Sequence, residues 1–310
     1  MPHLDTSDRP SAGVLPLDTR ILVRVTGDDR ASFLHGMCTA DVNGAKPGVI
    51  LPALFLTEHA HVISEAFIWV TPDALILDID AEAWTRTHAH LDKLLVADDV
   101  EFEDAADLAV IDVEGPAALD AMAQLAAWRF IEAGGSLVGN LPRFGGPAAS
   151  VIAPRDSIDS TIAAILAKAA GSRRIDSSML ETIRVENGVA RVGVDTTDKT
   201  IALEARLNRA ISFNKGCYLG QETIERATAR GGLKKRMFGL KFNTADVPAA
   251  GSVVSLDGKE VGRVTSAVMS PRFGAIGLAI LHHSAWTPGM ELKVGEGGVA
   301  IVSELPFAQN

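Results

Sequence analysis

The chain has 310 residues, of which 47% are apolar, and it carries a formal net charge of -10 at pH 7. This length predicts about two folded domains, and the excess of carboxylates argues against nucleic-acid binding, because phosphate recognition needs clustered Lys and Arg. No apolar run approaches ~20 residues and the opening MPHLDTSDRP is polar, which predicts a cytoplasmic protein with no membrane segment. Cys38 and Cys217 show no repeated spacing and no CxxC pair, which argues against a disulfide framework.

The N-terminal third predicts a strand, a turn and a helix in that order. The β-branched run ILVRV at 21–25 is followed by TGDD and then by RASFLHGM at 30–37, which has apolar residues at helical spacing. The stretch LAVIDVEGPAALDAM at 108–122 repeats this order, so Gly27 and Gly115 are predicted to be equivalent turns. Because the repeat occurs only twice, it indicates a duplicated α+β unit and not a solenoid.

Further elements lie around this repeat. HVISEAFIWV at 61–70 and DALILDID at 73–80 predict adjacent strands, and EAWTRTHAHLDKLLV at 82–96 predicts an amphipathic helix. STIAAILAKAAG at 160–171 predicts a second helix that ends at Gly171.

A short helix is predicted to place Glu186 in its last turn. Ser178 and Glu181 have capping-box spacing, and Gly188 is the predicted terminator. A carboxylate in the last turn opposes the helix dipole, at a cost of ~0.3–1 kcal/mol unless a partner compensates it.

Two interpretations of Glu186 follow from the residues. In the first, Arg184 or Arg191 is the compensating cation. In the second, Glu186 faces a ligand with two parallel N–H donors, such as a pterin ring with its ring N–H beside an exocyclic amine.

The stretch NKGCYLGQET at 214–223 places Cys217 between two glycines. Gly216 and Gly220 are predicted to hold it in a tight turn, and Lys215 is predicted to lower the pKa of its thiol. Composition alone leaves a buried structural cysteine equally open, since free cysteine is often buried. A closed metal site fails on ligand count, whereas a cluster shared with another chain or a small thiol stays open.

The sequence pattern changes near residue 236, from mixed helix and strand patterns to short strand-like runs. The basic stretch RATARGGLKKR at 226–236 is suited to an anionic ligand, with a solvated basic turn as the alternative. Six short β-like runs follow, which predict a small antiparallel barrel or sandwich. The predicted domains are therefore 1–236 and 237–310.

Four stretches resemble a known family. KGCYLGQE at 215–222 is similar to the K-G-C-[FY]-x-G-Q-E motif of the folate-binding YgfZ proteins, within the superfamily of the glycine-cleavage T-protein (aminomethyltransferase, GcvT). IRVENGVARVGVD at 183–195, VTGDDRASFLHGMCTADV at 25–42 and VGRVTSAVMSPRFGAIGLAIL at 261–281 resemble further segments of that superfamily.

The resemblance implies an α+β fold with three lobes, namely two related α+β units and a small C-terminal antiparallel β-barrel. It implies binding of tetrahydrofolate or a one-carbon derivative, with Glu186 on the pterin ring. It also implies work with iron–sulfur assembly or client proteins, with Cys217 as the functional thiol in transient contact with a cluster. The positions predicted to bind folate are Arg184, Glu186, Asp195, Gly216, Gly220, Gln221, Glu222 and Arg230. The positions predicted to take part in chemistry are Cys217, Lys215 and Glu65.

Two departures from the family patterns affect the predicted reaction. The aspartate that works at the folate nitrogen in aminomethyltransferases is replaced in AHVISE by Glu65, and the usual P-x-E is ALE at 202–204. The predicted function is thus an assembly or repair factor. A folate-dependent aminomethyltransferase-like one-carbon transferase, with Glu65 at the reactive nitrogen, is the alternative.

Overall fold

The computed structural model describes residues 9–121, 125–229, 232–244 and 246–307. The chain forms two compact units. The sheet unit comprises Pro10–Ile175 and Arg209–Gln221, and the barrel unit comprises Met1–Arg9, Asp176–Asn208 and Glu222–Asn310. The domain boundary near residue 236 stays a prediction.

The described part of the sheet unit contains one mixed sheet of eleven strands. The strands are β1 (Ala12–Pro16), β2 (Arg20–Thr26), β3 (Val49–Leu56), β4 (Val62–Val70), β5 (Leu75–Asp80), β6 (Glu101–Asp104), β7 (Leu108–Glu114), β8 (Arg129–Ala133), β9 (Ser136–Asn140), β10 (Ala148–Pro154) and β11 (Ser172–Arg174). The helices are α1 (Arg30–Met37), α2 (Ala81–Asp92), α3 (Ala118–Ala121) and α4 (Ile158–Lys168). The strands and helices predicted for these stretches are confirmed, but α2 ends at Asp92 and α4 at Lys168, before the predicted ends at 96 and Gly171.

The strand order shows the duplication. It runs β11-β1-β7-β10-β9-β8-β3-β4-β5-β2-β6, and the two halves join where Val49 of β3 pairs with Arg129 of β8. Outward from this junction, one half reads β3, β4, β5, β2, β6 and the other reads β8, β9, β10, β7, with β1 inserted before β11. The predicted pair of related α+β units is confirmed.

The two predicted turn glycines are confirmed as equivalent. Gly27 and Gly115 both have positive φ, at 95° and 128°. A Cβ on Gly27 would lie 2.0 Å from the carbonyl oxygen of Asp99, and one on Gly115 would lie 2.6 Å from that of Ser11. Both turns therefore require glycine for conformation and for space.

A buried ion network lies in the sheet unit. Arg143 donates to Asp78 and, through Nε, to Asp112 at 3.1 Å, while Nε of Arg20 donates to Asp78 at 2.7 Å. The guanidinium of Arg143 also lies over the ring of Phe67, 4.5 Å from its centre. Both carboxylates are fully buried, so their charges depend on these arginines.

The barrel unit contains helices α5 (Ser177–Glu186) and α6 (Gln221–Ala229), the latter beginning at the last residue of the sheet unit. Its strands are β12 (Lys235–Phe242), β13 (Val253–Leu256), β14 (Lys259–Ser270), β15 (Gly274–His282), β16 (Glu291–Val294) and β17 (Gly298–Ser303). Within the described residues these six strands close in the order β12-β15-β14-β13-β16-β17. The predicted small antiparallel barrel is confirmed. Among the helices of the described ranges, none has the length and apolarity that spanning a bilayer requires.

Candidate functional site

Helix α5 ends as predicted but begins differently. Its N-cap is Asp176, whose side chain accepts a hydrogen bond from the N–H of Met179 at 2.8 Å, so the capping box of Ser178 and Glu181 is wrong. Aspartate is a strong N-cap residue, and here it precedes both serines of the first turn. Gly188 ends the helix with a φ of 66°. Glu186 therefore does lie in the last turn.

The carboxylate of Glu186 is almost fully buried and surrounded by donors. Its Oε1 accepts a hydrogen bond from Ser270 Oγ at 2.6 Å. Its Oε2 accepts from Nη2 of Arg9 and, at 3.4 Å, from Nη1 of Arg272. The compensating cations are therefore Arg9 and Arg272, and the expectation of Arg184 or Arg191 is wrong. Residues two apart on a helix project about 200° apart, which turns Arg184 to another side of α5.

Arg184 and Asp195 instead form a buried ion pair inside the barrel unit. Arg184 donates to Asp195 Oδ2 and to Ser266 Oγ, both at 2.7 Å. Asp195 Oδ1 also accepts from the hydroxyls of Ser266 and Thr265. These contacts tie α5 to strand β14 and fix the helix that carries Glu186. Direct contact of either residue with folate stays a prediction.

A tight turn after β14 supplies the donors on Glu186. Ser270 Oγ accepts from the N–H groups of Arg272 and Phe273, both at 3.0 Å. The Arg272 guanidinium lies 4.8 Å from the centre of the Phe273 ring, and the N–H of Phe307 donates to the Glu186 carbonyl at 2.9 Å. Sequence reasoning missed Ser270 and Arg272, although a buried carboxylate in a last turn signals that cations must come from elsewhere.

The residues around Cys217 belong to the sheet unit, in the stretch Arg209–Gln221, here called the Cys segment. Cys217 is exposed, whereas Cys38 is buried. Burial raises the pKa of the Cys38 thiol to about 11. The thiol of Cys217 is therefore presented to solvent, and the buried alternative for it is wrong.

Lys215 anchors the Cys segment to α1. Its ammonium donates to the carbonyl oxygens of His35, Cys38 and Ala40, the last two at 2.9 Å. It also lies 5.0 Å from the centre of the Tyr218 ring. Burial lowers the pKa of this ammonium. The contacts of Lys215 are thus those of a structural anchor, and its part in thiol chemistry stays a prediction.

The two motif glycines differ in what they require. Gly220 has a φ of 87°, and a Cβ there would lie 2.7 Å from the carbonyl oxygen of Thr57. Gly216 has no positive φ, and a Cβ there would approach only His35 Nε2, at an ordinary 3.8 Å. The expectation that both glycines shape the turn is confirmed for Gly220 and wrong for Gly216.

The remaining motif residues have local contacts. Gln221 Oε1 accepts from the N–H of Tyr218 at 3.2 Å, which closes the turn before α6. Glu222 is exposed and lies 3.9 Å from Arg226. Arg230 lies outside the described residues. Folate binding by these residues stays a prediction.

Glu65, on β4, is held in an ion pair. Its Oε1 accepts a hydrogen bond from Nη2 of Arg209 at 2.8 Å, and its side chain is 12% exposed. Arg209 is the first residue of the Cys segment, so this pair fastens the segment to the sheet. In the described ranges, no group of three or more His, Cys, Asp and Glu is arranged to hold a metal ion.

The chain is similar to one protein family model and to several known proteins. The model of the glycine cleavage T-protein C-terminal barrel domain matches residues 235–308. A protein of Arabidopsis thaliana named "putative transferase, chloroplastic" is 30% identical over 92% of this chain and 68% of its own length. The tRNA-modifying protein YgfZ of Yersinia pestis is 27% identical over 83% of this chain and 79% of its own. A mitochondrial iron-sulfur cluster assembly factor IBA57 homolog of Phaeosphaeria nodorum is 26% identical over 79% of this chain and 59% of its own.

A solved structure shares the fold. The glycine cleavage system aminomethyltransferase T of Bartonella henselae matches with a TM-score of 0.86 at 20% identity, over 97% of this chain and 87% of that chain. The barrel model, the Arabidopsis relative and this shared fold agree with the motifs. The chain belongs to the GcvT superfamily as a YgfZ-like member.

Proposed function

We propose that the protein binds tetrahydrofolate through Glu186 and serves the assembly or repair of iron–sulfur proteins, with Cys217 as its functional thiol. The observation that carries the folate part is the buried Glu186 carboxylate, which is held by side chains that can yield to a ligand. The observation that carries the thiol part is the exposure of Cys217 on a backbone that is anchored on both sides.

The residues around Glu186 fit a pterin ring. An ionised carboxylate has about four lone-pair positions, and in the described part of the chain three side chains donate to this one. Of the donors, Arg9 and Arg272 are each about a third exposed, so solvent reaches them and a ligand can compete. A bound folate would supply a carrier for a one-carbon group.

Cys217 suits contact with a protein partner. Within the Cys segment, the backbone is held before Cys217 by Lys215 and after Cys217 by Leu219, whose N–H donates to the Gly36 carbonyl at 3.2 Å. An exposed thiol on a fixed backbone can attack a substrate or bind an iron–sulfur cluster offered by a partner. This matches the name of the IBA57 homolog.

The relatives' names also include tRNA modification and aminomethyl transfer. A net charge of -10 favours a small molecule or a protein over tRNA as the direct ligand. For aminomethyl transfer, Glu65 would have to work at the folate nitrogen. Its carboxylate is paired with Arg209, which counts against that alternative.

Calorimetric titration with tetrahydrofolate under anaerobic conditions tests the folate part. The wild type is expected to bind, and Glu186→Gln is expected to weaken binding roughly tenfold or more, because a charge-assisted acceptor is lost. Glu291→Gln, at an exposed carboxylate of the same unit, is the matched control and should bind like the wild type if the role of Glu186 is specific. Absence of binding by the wild type would rule out the folate part.

Complementation tests the thiol part. In cells that lack their own YgfZ-like factor, Cys217→Ser is expected to leave an iron–sulfur enzyme inactive, while Cys38→Ser restores it. Full rescue by Cys217→Ser would remove this thiol from the function. Formaldehyde release from an aminomethyl donor, dependent on Glu65, would instead favour the transferase alternative.

A further inference from the structure

The groups around Glu186 can contact more of a bound pterin ring than its two N–H groups. The inference drawn from this pattern rests on the proposed folate binding, and it adds a residue that selects the ring's 4-oxo group. The pattern consists of Ser270, the two oxygens of Glu186 and the guanidinium of Arg272, all within the barrel unit.

The hydrogen-bonding capacity of the Glu186 carboxylate decides where a ligand can bind. Among the described residues, Oε1 accepts one hydrogen bond, from Ser270. Oε2 accepts two, from Arg9 and Arg272. Because each carboxylate oxygen has about two lone-pair positions, a ligand with paired N–H donors takes the open position on Oε1 and replaces one arginine on Oε2.

The two arginines differ in their contact with Glu186. Arg272 is fixed at both ends, since its backbone N–H donates to Ser270 Oγ at 3.0 Å and its guanidinium lies 4.8 Å from the Phe273 ring centre. Its bond to Glu186, at 3.4 Å, is already long. The ring N–H therefore replaces this long bond, while the turn keeps the guanidinium of Arg272 beside Oε2.

One edge of a pterin ring is complementary to Glu186 and Arg272. Along one edge a pterin presents an amino donor, a ring N–H donor and the 4-oxo acceptor. With the amino group on Oε1 and the ring N–H on Oε2, the 4-oxo oxygen comes next to Arg272. We propose that Arg272 is a specificity-determining residue, which donates to the 4-oxo group of the pterin and discriminates against ligands that carry a donor at that position.

The test compares two ligands that differ at this edge, tetrahydrofolate and its 4-amino-4-deoxy analogue, reduced aminopterin. Calorimetry gives the dissociation constant of each ligand. The measured quantity is the dissociation constant of the analogue divided by that of tetrahydrofolate. The analogue loses the ring N–H and places an amino donor against Arg272, so the wild type should prefer tetrahydrofolate. Arg272→Met should reduce this ratio roughly tenfold or more, because the interaction with the 4-substituent is lost while that with Glu186 stays.

Two variants make the result specific. Arg9→Met removes the other guanidinium from the same carboxylate, and it should shift both affinities by a similar factor and leave their ratio as in the wild type. Arg272→Gln keeps an N–H donor and should keep most of the ratio. A ratio that is unchanged in Arg272→Met, or that falls equally in Arg9→Met, would overturn the assignment.

Failure of this inference is distinguishable from failure of folate binding. One outcome is that tetrahydrofolate binds, that Glu186→Gln weakens this binding, and that the ratio of dissociation constants stays unchanged in Arg272→Met. In that case only the role assigned to Arg272 is wrong. Guanosine carries the same edge of amino group, ring N–H and oxo group, and it serves as a second arm. Binding of guanosine that depends on Arg272, without binding of tetrahydrofolate, would support recognition of this edge by Glu186 and Arg272. It would rule out the folate proposal.

Discussion

The ammonium of Lys215 illustrates how one side chain can hold a functional segment. It satisfies carbonyl oxygens at and just beyond the C-terminal end of α1, where a helix leaves its acceptors unpaired and carries partial negative charge. The KGC motif signalled a functional lysine, but its contacts join residues about 175 positions apart in sequence. Only the fold could reveal them.

Replacing Lys215 should loosen the Cys segment. Lys215→Met leaves buried carbonyl oxygens without their donor, at a cost of about 1–3 kcal/mol. Hydrogen exchange of the amides at 209–221 should become faster. The rate at which Cys217 is alkylated should change as well. Lys46→Met, at an exposed lysine of the same unit, is the control. Equal exchange in both variants would contradict the anchoring role.

At the scale of elements, the turn from β3 to β4 supports the Cys segment. Gly220 packs against the carbonyl of Thr57 in this turn, and Arg209 pairs with Glu65 on β4. The sequence placed both glycines of the motif in a turn, yet it could not separate the conformational need of one from that of the other. That difference arises from a neighbour that is distant in sequence.

The two glycines therefore make a matched pair of variants. Gly220→Ala should destabilise the protein by about 1–3 kcal/mol, because it adds a Cβ at positive φ against a backbone oxygen. Gly216→Ala should have little effect on stability, since its Cβ meets no close neighbour. Thermal unfolding measures both. A loss at Gly216 as large as that at Gly220 would contradict this assignment.

At the scale of the molecule, patterns within each segment predicted most of the elements, the duplicated α+β unit and the barrel. They did so because hydrophobic period and turn residues are local signals. The environment of Glu186 was not predictable in this way. Arg9 and Arg272 lie 177 and 86 positions from it, and no local spacing connects them. The end of helix α5 was predicted correctly, while its N-cap and the charge partners of Glu186 were not.

The buried ion network makes a prediction for the stability of the sheet unit. Burial raises the pKa of Asp112, whereas for Asp78 the charges of Arg143 and Arg20 outweigh burial and lower the pKa. Arg143→Met removes the cation shared by both carboxylates and should cost about 3–5 kcal/mol near neutral pH. Arg174→Met, which breaks an exposed pair with Asp159, should cost about 0–1 kcal/mol.

The pH dependence of that variant has a definite sign. Without Arg143, the folded-state pKa of Asp112 rises further above its ordinary value while Asp78 keeps Arg20, so the folded state takes up a proton at Asp112 as the pH falls. The stability lost in Arg143→Met should therefore recover partly between neutral pH and about pH 4. Urea unfolding followed by tryptophan fluorescence at several pH values measures this, and a loss that grows towards acid would contradict it.

The contrast between the two cysteines has a practical consequence. The chain contains only Cys38 and Cys217, and the first is buried with a thiol pKa of about 11 while the second is exposed. Near neutral pH, a maleimide or spin label should therefore attach at one position of the natural sequence. A reporter placed on Cys217 would then follow the arrival of a partner without any engineered substitution.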